Sequence, residues 1–226
     1  MLEAEGYPFK SKEHAAVVAS YQCGNKDGKW VKRYLEKEGR FACPHKLKYQ
    51  FTDECNLKIS DKCCERLKEG PLKKWQKENK KPYGIVGIMR DEGGRRNSAN
   101  CMAFRGNKLI KFQPLALVTK SWEEWFISKY NIQLSEIYLP PFNLARTGCK
   151  GCPFNPELQS NLDMLEKYFP LERKQCEIIW APVYAEYRRL GYRLKPIPAE
   201  HQITIDEWYE TLEYNPRLYD SVMRKL

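Results

Sequence analysis

The sequence predicts an α/β core followed by a helical C-terminal portion, and three observations carry that prediction. The short apolar run Ile85-Val86-Gly87-Ile88-Met89 suits a buried strand and is too short for most helices. Strand-like and helix-like segments alternate through the middle of the chain. The last third carries Leu158, Leu162, Leu165 and Phe169 on one helical stripe. At 226 residues the chain suits one ordinary domain, or one with a small appendage. The α/β core is expected over residues 1–154, and the helical portion, packed on it, over 155–226.

Taken in order, Ser60 is a cap for a helix running to about Glu69, where Gly70-Pro71 is expected to break it; a second short helix covers Leu72 to Asn79. Tyr83 to Arg90 reads as the buried strand and Lys108 to Leu115 as another. Ser121 with Glu124 forms a capping box ahead of Trp122, Trp125 and Phe126, predicting a helix over 122–130. Ser135 to Leu139 is a short strand candidate ending at Pro140-Pro141. The leucine-stripe helix ends at Pro170, a longer one runs from Leu171 to Leu190 with Pro182 inside and Gly191 closing it, and Thr204 with Glu207 caps a last helix.

Composition narrows the class. Hydrophobic residues make up 42% and aromatics 13%, enough for a core despite 30% charged residues and a mean hydropathy of -0.70. No apolar run is long enough to span a bilayer, and the N-terminus lacks the basic and apolar regions of a signal peptide, so a cytoplasmic protein with no membrane partner is expected. Lys and Arg number 39 against 29 Asp and Glu, a net charge of +10. Residues 1–82 carry 19 basic and 12 acidic side chains, and residues 83–226 carry 20 and 17. The basic first third suits a phosphate-rich partner, a nucleotide or DNA or tRNA, or else a solvated lysine face.

Nine cysteines in a chain without an export signal favour thiolates that bind metal or do chemistry over disulfides. Two pairs stand out: adjacent Cys63-Cys64, and Cys149-x-x-Cys152. Four thiolates are the ligand complement of a [4Fe–4S] cluster or of a structural zinc. Neighbouring residues have Cα atoms about 3.8 Å apart and bind one tetrahedral ion awkwardly, whereas a cubane offers two separate irons, so the adjacency favours iron–sulfur. Ser60 would put Cys63 and Cys64 in a first helical turn, where N–H groups favour negative sulfur. Gly148 and Gly151 flank the other pair, and Lys62, Arg66, Arg146 and Lys150 can offset cluster charge.

Cys63-Cys64-Glu-Arg-Leu-Lys-Glu-Gly-Pro71-Leu72, followed after 84 intervening residues by Cys149-x-x-Cys152, resembles the cluster motif of the assimilatory sulfonucleotide reductases. These are the adenylylsulfate and phosphoadenylylsulfate reductases of the wider PP-loop superfamily. The resemblance covers most of residues 6–195 in order of features. It implies a Rossmann-like, adenine nucleotide alpha hydrolase-like core, and a [4Fe–4S] cluster held by Cys63, Cys64, Cys149 and Cys152. A second match, Gly87-Ile-Met-Arg90-Asp-Glu92-Gly-Gly-Arg95-Arg96, is similar to the family's arginine loop. It implies that Arg90, Arg95 and Arg96 hold the oxyanions of an adenine nucleotide or sulfonucleotide. Guanidinium forks bind oxyanions bidentately, which gives that role a physical basis.

The family's PP-loop and its terminal Glu-Cys-Gly are not found in this sequence. The chain is therefore expected to act with a separate PP-loop-containing chain, to be part of a longer protein, or to have dropped nucleotide activation. No nucleophile is assigned. Cys176 has Arg173 and Lys174 beside it, which can lower a thiol pKa, but a packed helix thiol is the simpler reading. Cys23, Cys43, Cys55 and Cys101 have no firm role; Cys43-x-His45 with Cys55 is an alternative zinc site, and His14 and His201 read as surface or satisfied polar residues. Three functions are thus in view: a sulfonucleotide reductase-like iron–sulfur protein, a sulfur-inserting component acting on nucleic acid, and a non-catalytic nucleic-acid-binding module stabilised by iron–sulfur or zinc.

Overall fold

The computed structural model describes residues 1–36, 42–93, 96–144 and 147–196. The chain divides into two units, Met1–Cys63 with Gly148–Leu226, and Cys64–Thr147. The division expected at 154/155 followed element type along the chain and stays an expectation.

In the first unit, α1 (Leu2–Glu5), α2 (Lys12–Gln22) and α3 (Lys29–Glu36) precede a 3-10 segment, His45–Phe51, and the unit resumes with α6 (Leu158–Tyr168) and α7 (Pro170–Leu190). Ser11 caps α2 by accepting from the His14 amide, and Ala15, Val17 and Val18 turn inward. Leu158, Leu162 and Leu165 form the buried face of α6 as the stripe requires, while Phe169 is its partly exposed C-cap. Burial of each leucine is worth roughly 1.5–3 kcal/mol. In α7 the inward stripe is Cys176, Trp180, Val183, Tyr184 and Tyr187, and Gly191 at φ 58° closes the helix. Phe9 meets Tyr187 edge-on at 4.4 Å at the centre of this core.

His14 is fully buried there, not at the surface. Gln50 Oε1, which can only accept, lies 2.7 Å from Nε2 and so fixes the proton on that nitrogen. Nδ1 then accepts from the Tyr34 hydroxyl at 2.9 Å, and Tyr34 accepts in turn from Lys10 Nζ at 3.1 Å. Desolvation by burial lowers the His14 pKa to about 4, against an opposing hydrogen bond from Gln50, so the ring is neutral at pH 7.

The second unit holds the sheet. β2 (Met102–Arg105) and β3 (Lys108–Phe112) pair antiparallel through a turn in which Gly106 supplies the positive φ of 57° that a two-residue hairpin loop favours. β1 (Gly84–Ile85) pairs parallel to β3, giving the order β1-β3-β2. The α/β expectation therefore holds as a mixed fold with a small three-stranded sheet and a helical C-terminal part.

Several local expectations need correction. Gly70-Pro71 does not break the helix: a π-helical stretch, Glu65–Glu69, runs straight into α4 (Gly70–Glu78). The Gly70 amide donates to Glu65 O, five residues back, and a wider turn is how a helix can absorb a proline that lacks its own N–H. The strand expected over Tyr83–Arg90 shrinks to two residues and is not buried, since Ile85 is 73% exposed. The cap of α5 (Lys120–Lys129) is Thr119, whose hydroxyl accepts from the Trp122 amide, so Ser121 lies inside the first turn. Ser135–Leu139 contains a 3-10 turn, Glu136–Tyr138, closed by the Tyr138 amide on Ser135 O. The helix expected after Thr204 lies outside the described residues.

Candidate functional site

The Cys149-x-x-Cys152 loop belongs to the first unit, and α7 and the residues just after it hold it there through its carbonyls. Trp180 Nε1 donates to Lys150 O at 3.3 Å, Tyr184 Oη to Gly151 O at 2.5 Å, and Tyr187 Oη to Pro153 O at 2.8 Å. Arg193 adds a second donor to Pro153 O at 2.6 Å. A buried Tyr or Trp must place its polar tip on a partner, and the i, i+4, i+7 spacing of 180, 184 and 187 brings three such tips to one line of backbone. The Tyr187 hydroxyl also accepts from the Lys10 amide at 2.7 Å, so the same side chain ties the loop to the N-terminal segment.

Within the loop the Cys152 amide donates to Cys149 O at 3.2 Å. Gly151 sits at φ +58°, and a Cβ added there would come within 2.5 Å of Tyr184 Oη and 2.8 Å of Cys176 Cβ and Sγ. Gly148 faces open space. The two glycines thus differ: Gly151 is what lets the loop lie directly on α7, and Gly148 is not so constrained. Neither assignment was legible from the pair of glycines alone.

None of the nine cysteines is in a disulfide. Cys149 is exposed, Cys152 and Cys64 half-buried, and Cys63 buried. Cys63 lies in the first unit with the CxxC loop, and Cys64 opens the second. The Lys62 amide donates to Ser60 Oγ at 3.2 Å, so Ser60 closes the turn just before the cysteine pair, while the helical stretch that follows has Cys64 at its N-cap and no side-chain cap bond. The donor chemistry fits thiolate ligation, with four unoxidised sulfurs and one pair on a fixed loop. Among the described residues, however, no three or more His, Cys, Asp or Glu side chains are gathered into a group that could hold a metal. Cys43, His45 and Cys55 accordingly form no such group. Of the cations expected to offset cluster charge, Lys62 pairs with Glu5 at 3.8 Å and Lys150 with Glu172 at 2.6 Å; Arg146 lies outside the described residues.

Cys176 Sγ lies against Gly151, under the loop. Burial raises its pKa, with Arg173 opposing, and Arg173 is itself engaged by Glu177 and, at 3.6 Å, Glu166. Burial thus outweighs the basic neighbours, and Cys176 is a packing group beneath the loop, the simpler of its two sequence readings. Cys43 behaves alike, its pKa pushed up to about 11 by burial.

In the second unit the arginine loop folds as a 3-10 turn, Arg90–Glu92, closed by the Gly93 amide on Arg90 O. Arg90 Nε donates to Ala99 O at 2.7 Å and NH2 to Asn100 Oδ1 at 3.3 Å. Arg96 pairs with Glu92, whose other oxygen accepts from the Met89 amide at 3.2 Å. Arg95 lies outside the described residues. Asp91 accepts from the Lys120 amide at 2.9 Å, fastening the turn to the start of α5.

No helix among the described residues is long and apolar enough to cross a membrane. Comparison with curated proteins and with solved structures gives no significant match. The family profile of the phosphoadenosine phosphosulfate reductase domain matches residues 30–191, well over half of the chain and inclusive of both cysteine pairs and the arginine turn. On that match the chain belongs to the phosphoadenosine phosphosulfate reductase domain family.

Proposed function

We propose that the protein works in sulfonucleotide-related sulfur metabolism as an iron–sulfur protein that binds an adenine nucleotide bearing sulfate or phosphate. The observation that carries the reading is the CxxC loop, whose backbone is held by four side-chain donors from the first unit's core and whose cysteines are in no disulfide. Such fixation is what outer-shell groups do for ligands in metal sites. In this reading Cys63, Cys64, Cys149 and Cys152 hold a [4Fe–4S] cluster, on a core of Rossmann-like type. The cluster when bound supplies an electrostatic and structural element beside the nucleotide. Zinc is the competing occupant of the same thiolates.

The chain's own residues then do the binding. A guanidinium has five N–H donors, and Arg90 commits two groups to Ala99 and Asn100, which orient the fork; Arg96 would exchange Glu92 for a ligand oxyanion. Such a loop recognises sulfate or phosphate by charge and shape. Cys176, kept protonated by burial, takes no part as a nucleophile in this scheme.

Anaerobic purification followed by iron and sulfide counts and a visible spectrum tests it. About four irons per chain, lost in Cys63→Ser or Cys152→Ser, is the expected result. One zinc and no absorbance near 400 nm overturns the cluster. Weakened binding of an adenine sulfonucleotide by Arg90→Ala tests the arginine turn separately.

A further inference from the structure

The positive charge does not follow the first third of the chain but the second unit. Cys64–Thr147 holds 16 basic and 8 acidic residues, a net +8 of the total +10, whereas the longer first unit is close to neutral. This same unit buries almost nothing apolar: among its described residues only Met89 and Ala116 are buried hydrophobics. Its rings face outward instead. In α5 no residue is buried, and Trp122, Trp125, Phe126 and Tyr130, spaced i, i+3, i+4, i+8, form one aromatic stripe. Trp122 stacks on Phe126 at 5.4 Å and 20°, Phe126 meets Tyr130 at 4.6 Å, and Lys129 Nζ lies 4.7 Å over the Trp125 ring. In α4, where again nothing is buried, Trp75 is exposed and sits between Lys73, Lys74 and Lys77.

An aromatic stripe alone fits an apolar protein groove as well as it fits bases. The charge decides between them: a surplus of +8 on 84 residues favours an anionic partner over an apolar one, and cations beside exposed flat rings are what single-stranded nucleic acid engages. We infer that the second unit binds single-stranded nucleic acid, its bases stacking on the α5 rings and its phosphates meeting the lysines of α4. Recognition of this kind reads no base sequence. The inference does not rest on the cluster or on the nucleotide reading, and it holds or fails with metal-free protein.

The test is fluorescence anisotropy of the full chain with a labelled twenty-nucleotide oligo-dT, across a salt series, alongside a duplex of equal length and inorganic polyphosphate as a polyanion without bases. Oligo-dT is expected to bind more tightly than either competitor and to quench tryptophan fluorescence. Trp122→Ala with Trp125→Ala should weaken oligo-dT at least about tenfold while leaving polyphosphate affinity in place. Replacing Lys73, Lys74 and Lys77 by Ala should flatten the slope of log affinity against log salt by roughly 2. Equal affinity for polyphosphate and oligo-dT overturns the stacking. No oligonucleotide binding at low salt, or a self-association abolished by the tryptophan variant, assigns the stripe to a protein contact and overturns the inference outright.

Discussion

Gly151→Ala is the sharpest probe of the loop on α7, because three separate costs fall on one methyl group. The residue sits at φ +58°, where an L side chain costs about 1–2 kcal/mol. The added Cβ would stand 2.5 Å from Tyr184 Oη and 2.8 Å from both Cys176 Cβ and Sγ, closer than carbon approaches either atom. Tyr184 is fully buried and Cys176 nearly so, and neither is the free end of a flexible chain, so relief must come from moving the loop. Moving it breaks the Tyr184 bond to Gly151 O, at about 1–3 kcal/mol for a buried group left unpaired, and overpacking adds about 1–3 kcal/mol. A total of about 3–8 kcal/mol is a large share of ordinary domain stability. Urea unfolding followed by far-UV circular dichroism reads it as a midpoint lowered by roughly 1.5–4 M, at a slope of about 2 kcal/mol/M. Gly148→Ala, with nothing within 4 Å of the added carbon, is the control and should fall within about 0.5 kcal/mol of the parent. If Gly151→Ala unfolds at the same urea concentration as that control, the loop does not lie on α7 as described. Tyr184→Phe in the same background removes one clash, so the double variant should recover at least about 1 kcal/mol relative to additivity.

Protonation of His14 gives a pH dependence of defined sign. Its folded pKa of about 4 lies below the usual 6.5, so the stabilisation from the neutral ring is complete above pH 6.5 and is lost as pH falls from 6.5 to 4, by roughly 3 kcal/mol; a thermal-stability profile without that slope, or unchanged by His14→Gln, contradicts the buried network. Tyr187→Phe leaves the Lys10 amide without its acceptor and Pro153 O with Arg193 alone, and should cost about 1–3 kcal/mol in the same urea assay. In metal-free protein at pH 7.5, exposed Cys149 and Cys23 should react first with a disulfide reagent and buried Cys43 and Cys176 last; mass spectrometry of partially labelled protein that finds Cys176 among the first would contradict its place as a packed thiol.

What was legible in the sequence depended on whether the signal was local. The leucine stripe of α6 and the glycine end of α7 each rest on residues within one or two turns of each other, and both appear where expected. Gly70-Pro71 misled because proline's lost donor was taken as a stop, when a five-residue-spaced bond carries the helix past it. Ile85 to Met89 misled because an apolar run says that side chains need cover but not that this chain provides it: Ile85 stands exposed beside a two-residue strand while Met89 turns in.

The CxxC motif shows the same limit at the site. Its cysteines announce themselves, but the groups that fix it, Trp180, Tyr184, Tyr187 and Arg193, lie about thirty to forty residues later and look in sequence like ordinary helix-core aromatics and a surface cation. A signal was present in their polar tips: an aromatic stripe made only of Phe and Leu needs no partner, whereas two tyrosines and a tryptophan on a buried face require acceptors from somewhere. The acceptors had to be backbone, because the described core of this unit offers few buried polar side chains besides His14, Gln50 and Ser60, and His14 and Gln50 bond each other. A turn with a positive-φ glycine, unable to satisfy its own carbonyls in a ladder, is the segment that can meet that demand. The loop and helix α7 therefore specify each other, and the chemistry of the thiols is set on a frame that neither motif reveals alone.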